Sequence, residues 1–240
     1  VVPFNFNSAH GDEVHLSQID AHGNPTGYRA QAKFGAAANG VSFGRYLTSV
    51  GEEFVAMSQR SFGADNPSNL TQFRGSLGAP NSYPLVGPIV FSEVLCAPNP
   101  GKAAFIELAN LSTATVPLYD PDHPTNVWTI KGISSFDFPT NTWLPACSTL
   151  IVCATNPAAF RAQYALDPSI PVFGPWPGNL APDGESLRLL EPAPPESDGT
   201  VPYYRVDHVA YRSAPPWPTT PGASLERVPV EAYGNDPASW

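Results

Sequence analysis

The sequence predicts an all-β chain organised as a β-sandwich, on three observations. First, 29 prolines and 19 glycines are spread over 240 residues, which leaves almost no breaker-free window long enough for an ordinary helix. Second, the apolar residues that lie between these breakers alternate with polar ones, the two-residue period of a half-buried strand. Third, such runs recur roughly every 8 to 12 residues, the spacing of a sandwich or barrel.

Taken in order, "GDEVHLSQID" alternates Val14 and Leu16 with polar neighbours, and "AHGNPTG" follows it with strong turn chemistry. "GYRAQAKFG" alternates again. "GVSFGRYL" and "EEFVAMSQ" flank the turn "TSVGE" and read as a hairpin. From Phe62 to Pro88 the text is mostly Gly, Pro, Asn and Ser, a linker whose Leu70, Phe73 and Tyr83 suggest that it lies against other parts of the chain. Strands resume at "IVFSEVLCA", "AAFIELANLS", "WTIKG", "FDFP" and "STLIVCA". "NPAAFRAQYAL" is the single good helical stretch, with Asn156 as N-cap, Pro157 at the first position, and Phe160 and Tyr164 four apart. "ESLRLLEP", "VPYYRVDHVAY" and "ASLERVP" complete the strands.

Composition narrows the function classes. A net charge of -9 with only 12 basic residues, nowhere clustered, argues against nucleic acid as a partner. An apolar fraction of 42% is enough for a packed core, and no run of 18 apolar residues encodes a transmembrane helix. The chain lacks an initiator Met and a signal-peptide pattern, which reads as a piece of a longer protein. Cys96, Cys147 and Cys153 allow at most one internal disulfide, and Cys153 within "TLIVCAT" has the setting of a buried strand residue.

The chain also repeats itself. "NGVSFGRY" (39–46) parallels "PGASLERV" (221–228), "GDEVHL" (11–16) parallels "GESLRL" (184–189), and "GADNPS" (63–68) parallels "GNDPAS" (234–239), all in the same order. Three matched stations predict an internal repeat. No residues precede Val1 to match the half that precedes Gly184, so the expectation is one complete domain preceded by the back half of another.

The run "IVFSEVLCAPNPGKAAFIELANLSTATVPLYD", followed by "STLIVCATNPAAFRAQY", "GNLAPDGESLRLLEP", "VDHVAYRSAPPWP", "GASLERV" and "GNDPASW", resembles a bacterial lamin-tail domain. The family's phrases are matched by Glu93 after Ile89 and Phe91, by Phe105 to Asn110, and by Ser224 to Arg227. Residues 4–67 resemble the second half of a further copy, with Gly44 standing where the closing motif has an acidic residue. The resemblance implies an immunoglobulin-like sandwich with one short helix, used as a non-catalytic unit of large secreted bacterial proteins. The domain layout that follows is a partial unit at 1–67, a linker at 68–87 and a complete sandwich at 88–240.

Candidate chemistry is sparse. Asp120 and Asp122 form a D-x-D beside His123, hard enough for calcium, but Asp-Pro pairs are ordinary turn initiators and no distal Glu completes a loop. Glu93 and Glu107 fall on neighbouring strands as a carboxylate pair, for which an outward face or a bond to Arg227 outweighs catalysis. The Ser and Arg of the repeated phrase read as a turn hydroxyl and a bridge to a strand carboxylate. The five histidines show no ligand spacing, and no nucleophile elbow, P-loop or dinucleotide fingerprint occurs. Trp176, Tyr211 and Trp217, near Pro-rich loops, are candidates for ligand contact, against the reading that they plug the end of a core.

No catalytic residue, metal ligand or cofactor is therefore expected. The leading expectation is a non-catalytic structural or binding module of a larger secreted or surface protein, acting as spacer, adhesion or targeting unit. Its partners would be other domains of that protein, a polysaccharide or a surface protein. The alternative is an assembly subunit that self-associates by strand complementation of its incomplete N-terminal sandwich.

Overall fold

The computed structural model describes residues 5–61, 71, 81–132 and 134–240. The repeat station at 63–68 and the linker anchors Leu70 and Phe73 lie outside the described residues. The chain divides into two compact units: Val1–Leu47 with Gly51–Leu85, and Thr48–Val50 with Val86–Trp240.

In the first unit, β1 (Asp12–Ile19) and β2 (Pro25–Phe34) form an antiparallel hairpin. The turn between them is closed by the Asp20 carboxylate, whose Oδ1 accepts the N–H groups of His22 and Asn24 at 2.8 Å each. β3 (Ser42–Thr48) and β4 (Gly51–Met57) form the second two-stranded sheet, as the turn "TSVGE" predicts. Tyr83 and Leu85 run beside the end of β4, with Ser58 N–H donating to Tyr83 O at 2.9 Å and Leu85 N–H to Ala56 O at 2.8 Å. The expected packing of the linker is thus seen where its residues are described. Rings of Phe6, Phe34, Phe43 and Phe54 follow one another with centroids 5.3, 5.2 and 6.4 Å apart.

The second unit is a β-sandwich. Its strands are β5 (Ile89–Leu95), β6 (Phe105–Asn110), β7 (Val116–Pro117), β8 (Tyr119–Asp120), β9 (His123–Val127), β10 (Thr129–Lys131), β11 (Ser135–Asp137), β12 (Trp143–Leu144) and β13 (Thr149–Cys153). After helix α1 (Pro157–Tyr164) come β14 (Val172–Phe173), β15 (Gly184–Pro192), β16 (Tyr203–Arg212) and β17 (Leu225–Glu226). One sheet has the order β14-β13-β6-β5-β17 and the other β11-β10-β15-β16.

Alternation sorts these residues into layers. Ile89, Phe91, Ile106, Leu108, Leu150, Val152 and Leu225 of the first sheet share one core with Ile130, Leu187, Leu189, Val209 and Tyr211 of the second. The opposite face of the first sheet carries Phe105, Ile151 and Cys153, which α1 covers with Phe160. Asn156 caps the helix as its sequence predicts, accepting from Ala158 N–H at 2.9 Å, and Phe160 and Tyr164 lie against each other at 4.7 Å. Buried Asn110 closes β6: its amide donates to the carbonyls of Ala114, Leu144 and Pro145 at 2.8 to 3.0 Å, and its Oδ1 accepts Ser112 N–H. That satisfies backbone groups in two separate segments, the turn after β6 and the end of β12, at once.

Candidate functional site

The phrase "SLER" is held by two separate devices, because neighbouring strand residues point to opposite faces. Leu225 faces the core, Glu226 the outer face, and Arg227 turns inward again. Arg227 Nη1 meets Asp207 Oδ2 on β16 at 2.7 Å, with both side chains almost wholly shut off from solvent. Asp207 also accepts Phe91 N–H at 2.8 Å, and Arg227 Nε donates to Ala232 O at 2.8 Å. The arginine thus ties β5, β16 and the segment after β17 together.

The expected bond between Arg227 and Glu93 or Glu107 is not formed, since those carboxylates stand on the opposite face. Glu226, Glu93 and Glu107 occupy consecutive register positions across β17, β5 and β6. Ser224 Oγ donates to Glu93, and Ser92 Oγ donates to Glu107 Oε1 at 2.7 Å. Burial raises the pKa of Glu107 above the ordinary 4.5, and the neighbouring charges of Glu93 and Glu226 push the same way.

Trp176, Tyr211 and Trp217 are 5%, 2% and 6% exposed, and all three belong to the sandwich core. Expectation of ligand contact at these rings is corrected: stacking on a sugar needs an open ring face, and theirs are packed. Tyr211 spends its hydroxyl on Ala181 O at 3.0 Å, and Trp240 covers Trp217 at 6.4 Å between centroids.

Asp120 and Asp122 close a turn. Asp120 Oδ1 accepts Asp122 N–H and its Oδ2 meets His123 Nδ1, each at 2.9 Å. Among the described residues, no three His, Cys, Asp or Glu side chains gather as metal ligands. Cys96, Cys147 and Cys153 are free thiols, half-buried, exposed and buried respectively. Cys153, fully enclosed, packs with Ile151 and Phe160 as its apolar strand predicts.

Two features were not legible in the sequence. Ser186 Oγ lies 2.9 Å from His208 Nε2 across β15 and β16. Burial, then Arg205 and Arg188, push the His208 pKa down to about 4, so the imidazole is neutral and serves as a hydrogen-bond partner. The second feature is an apolar groove of about 360 Å³ in the first unit, lined by Val14, Ala32, Phe34, Val41, Phe43 and Phe54 among others. It falls at the small end of the range for ligand pockets. Any one of its strands looks ordinary in sequence, because the groove exists only where the two hairpins meet.

No family model matches the chain, and a search of the curated proteins finds no match.

Proposed function

We propose that the chain is a non-catalytic structural and binding module of a larger secreted or surface protein, its second unit being a lamin-tail-like sandwich. One observation carries this reading: the residues nominated for chemistry or contact are consumed by the fold. The three tryptophan and tyrosine rings fill the core, the paired carboxylates hold serine hydroxyls, and the Asp-x-Asp closes its own turn. The resemblance gains support from the placement of its phrases, since Glu93, Phe105 to Asn110 and Ser224 to Arg227 fall on three adjacent strands of one sheet. On this reading the first unit is a related β unit that carries the repeated phrases at Gly11 and Ser42.

The test pairs two measurements on the full chain. Unfolding should be cooperative, and a panel of chromogenic glycosides, esters and phosphates should show no turnover. Turnover that disappears in Glu107→Gln or Glu93→Gln would overturn the proposal, because those carboxylates would then be working as acid and base. Co-sedimentation with insoluble polysaccharides reads the targeting role separately.

A further inference from the structure

The repeated phrase opens on the same turn in both units. In Ala38-Asn39-Gly40-Val41, Val41 N–H donates to Ala38 O at 3.2 Å and Gly40 has φ 86°. In Thr220-Pro221-Gly222-Ala223, Ala223 N–H donates to Thr220 O at 3.2 Å and Gly222 has φ 73°. Neither Asn39 nor Pro221 has a positive φ, so both are type II turns. Such a turn requires glycine at its third position and suits proline at its second. The second unit has that proline. The first has asparagine, and with it a chemistry that proline cannot perform.

Asn39 and Gly40 are both exposed. Among the described residues, neither the Asn39 carboxamide nor the Gly40 N–H has a hydrogen-bond partner. No other asparagine in the sequence is followed by glycine. That neighbour matters because glycine has no Cβ to shield its own nitrogen from the preceding side chain. Two aspartates, Asp183 and Asp198, also precede a glycine, but there the nitrogen is committed. Gly184 N–H donates to Ala181 O at 3.2 Å and Gly199 N–H to Glu196 O at 2.9 Å, while Asp198 Oδ1 accepts Thr200 N–H at 2.9 Å.

We infer that Asn39 is a site of self-modification, at which the backbone nitrogen of Gly40 attacks the side-chain carbonyl carbon and the chain converts its own amide to an acid. The bond from Gly40 N to Asn39 Cγ forms, the bond from Cγ to Nδ2 breaks, and the proton from the Gly40 nitrogen leaves with ammonia. Water then opens the five-membered imide at either carbonyl, giving aspartate or isoaspartate, and returns a proton to the nitrogen. No oxidant or metal enters the balance. Each event adds a negative charge to a protein whose net charge is already -9. The isoaspartate product also routes the backbone through an extra carbon inside the turn, two residues ahead of β3. At the matching turn of the second unit, Pro221 stands in the place of Asn39 and is inert.

The chemistry is independent of what the module binds, and the full chain tests it. Peptide mapping after incubation of the folded protein in mildly alkaline buffer should find conversion at Asn39 ahead of every other asparagine, with isoaspartate beside aspartate. Unfolding in urea should raise isomerisation at Asp183 and Asp198 by about tenfold or more, as their glycine N–H groups are released, and the Asn39 rate by far less. Asn39→Pro, the residue that the matching turn carries, should abolish the acidic species that accumulates on ion exchange. Asn39→Gln, which keeps an amide in the turn but needs a ring one atom larger, should lose it as well. An Asn39 that stays intact, or that yields aspartate without isoaspartate, would overturn the proposal. So would an Asn39 rate that climbs on unfolding as steeply as those of Asp183 and Asp198.

Discussion

Arg227 and Asp207 form an ion pair 2.7 Å long from which solvent is excluded, and it spans 20 residues of sequence. Removing one partner strands the other charge in the interior, which costs about 3 to 5 kcal/mol, whereas replacing both with apolar residues of similar volume is close to neutral. Asp207→Ala should therefore lower the unfolding free energy by about that amount in a urea titration. The double variant Asp207→Leu with Arg227→Met should recover most of it. A double variant as unstable as the single one would show that the bonds to Phe91 and Ala232 dominate.

The buried tryptophans give a sharper test of core against contact. Trp176→Ala and Trp217→Ala should each cost about 3 to 5 kcal/mol of stability. Where the variants are still folded, binding to any polysaccharide retained by the parent chain should be unchanged. Loss of binding with little loss of stability would restore these rings as a contact surface.

His208 makes acid stability specific. Its folded pKa of about 4 lies below the ordinary 6.5, so the unfolded chain binds a proton first as pH falls. The neutral imidazole costs nothing above pH 6.5, and stability drains away between 6.5 and about 4. His208→Gln should flatten the stability profile in that window, by at most about 3 kcal/mol at its lower end. An NMR titration should place the imidazole midpoint near 4.

Glu107 acts in the opposite sense. A carboxyl that holds its proton more tightly when folded weakens the fold while ionised, and the penalty lifts as pH drops through the raised value towards the ordinary 4.5. Glu107→Gln should raise the melting temperature at pH 7, and the gain over the parent should vanish in acid. An equal gain at both pH values would place its origin in packing.

Thiol reactivity should follow enclosure. Cys147 is exposed and should be alkylated first in the folded protein, Cys96 more slowly because burial raises its pKa, and Cys153 only on unfolding. Mass spectrometry after a short pulse of iodoacetamide reads the order.

Much of the secondary structure was legible because alternation and breakers agree. β1 and β2 coincide with alternating runs, β5, β6 and β13 with apolar runs bounded by breakers, and α1 begins at the Asn-Pro cap that its sequence announces. The short strands β7, β8, β9, β12 and β14 were not foreseen. Most have two residues, which is too few for a period, and β9 reads "HPTNV", where proline and asparagine argue for a turn. The repeated Ser and Arg were legible as structural, but the identity of the carboxylate was not. Asp207 lies 20 positions before Arg227, and only the inward turn of both side chains brings them together. Trp176 and Trp217 misled for a related reason: proline-rich flanks mark a loop in sequence, and these loops fold their rings inward over the end of the core.

The placement of β17 beside β5 sets how the second unit bears a load. The two strands run antiparallel, Leu225 opposite Val94 and Glu226 opposite Glu93, and Val228 N–H donating to Ser239 O brings the chain end back to the same margin. Tension applied before Ile89 and after Trp240 therefore peels this edge one hydrogen bond at a time, where a sheared edge would resist with all its bonds together. The guanidinium of Arg227 grips Phe91 and Asp207 at the point where the peel starts, so a single side chain serves as the latch on an unzipping seam.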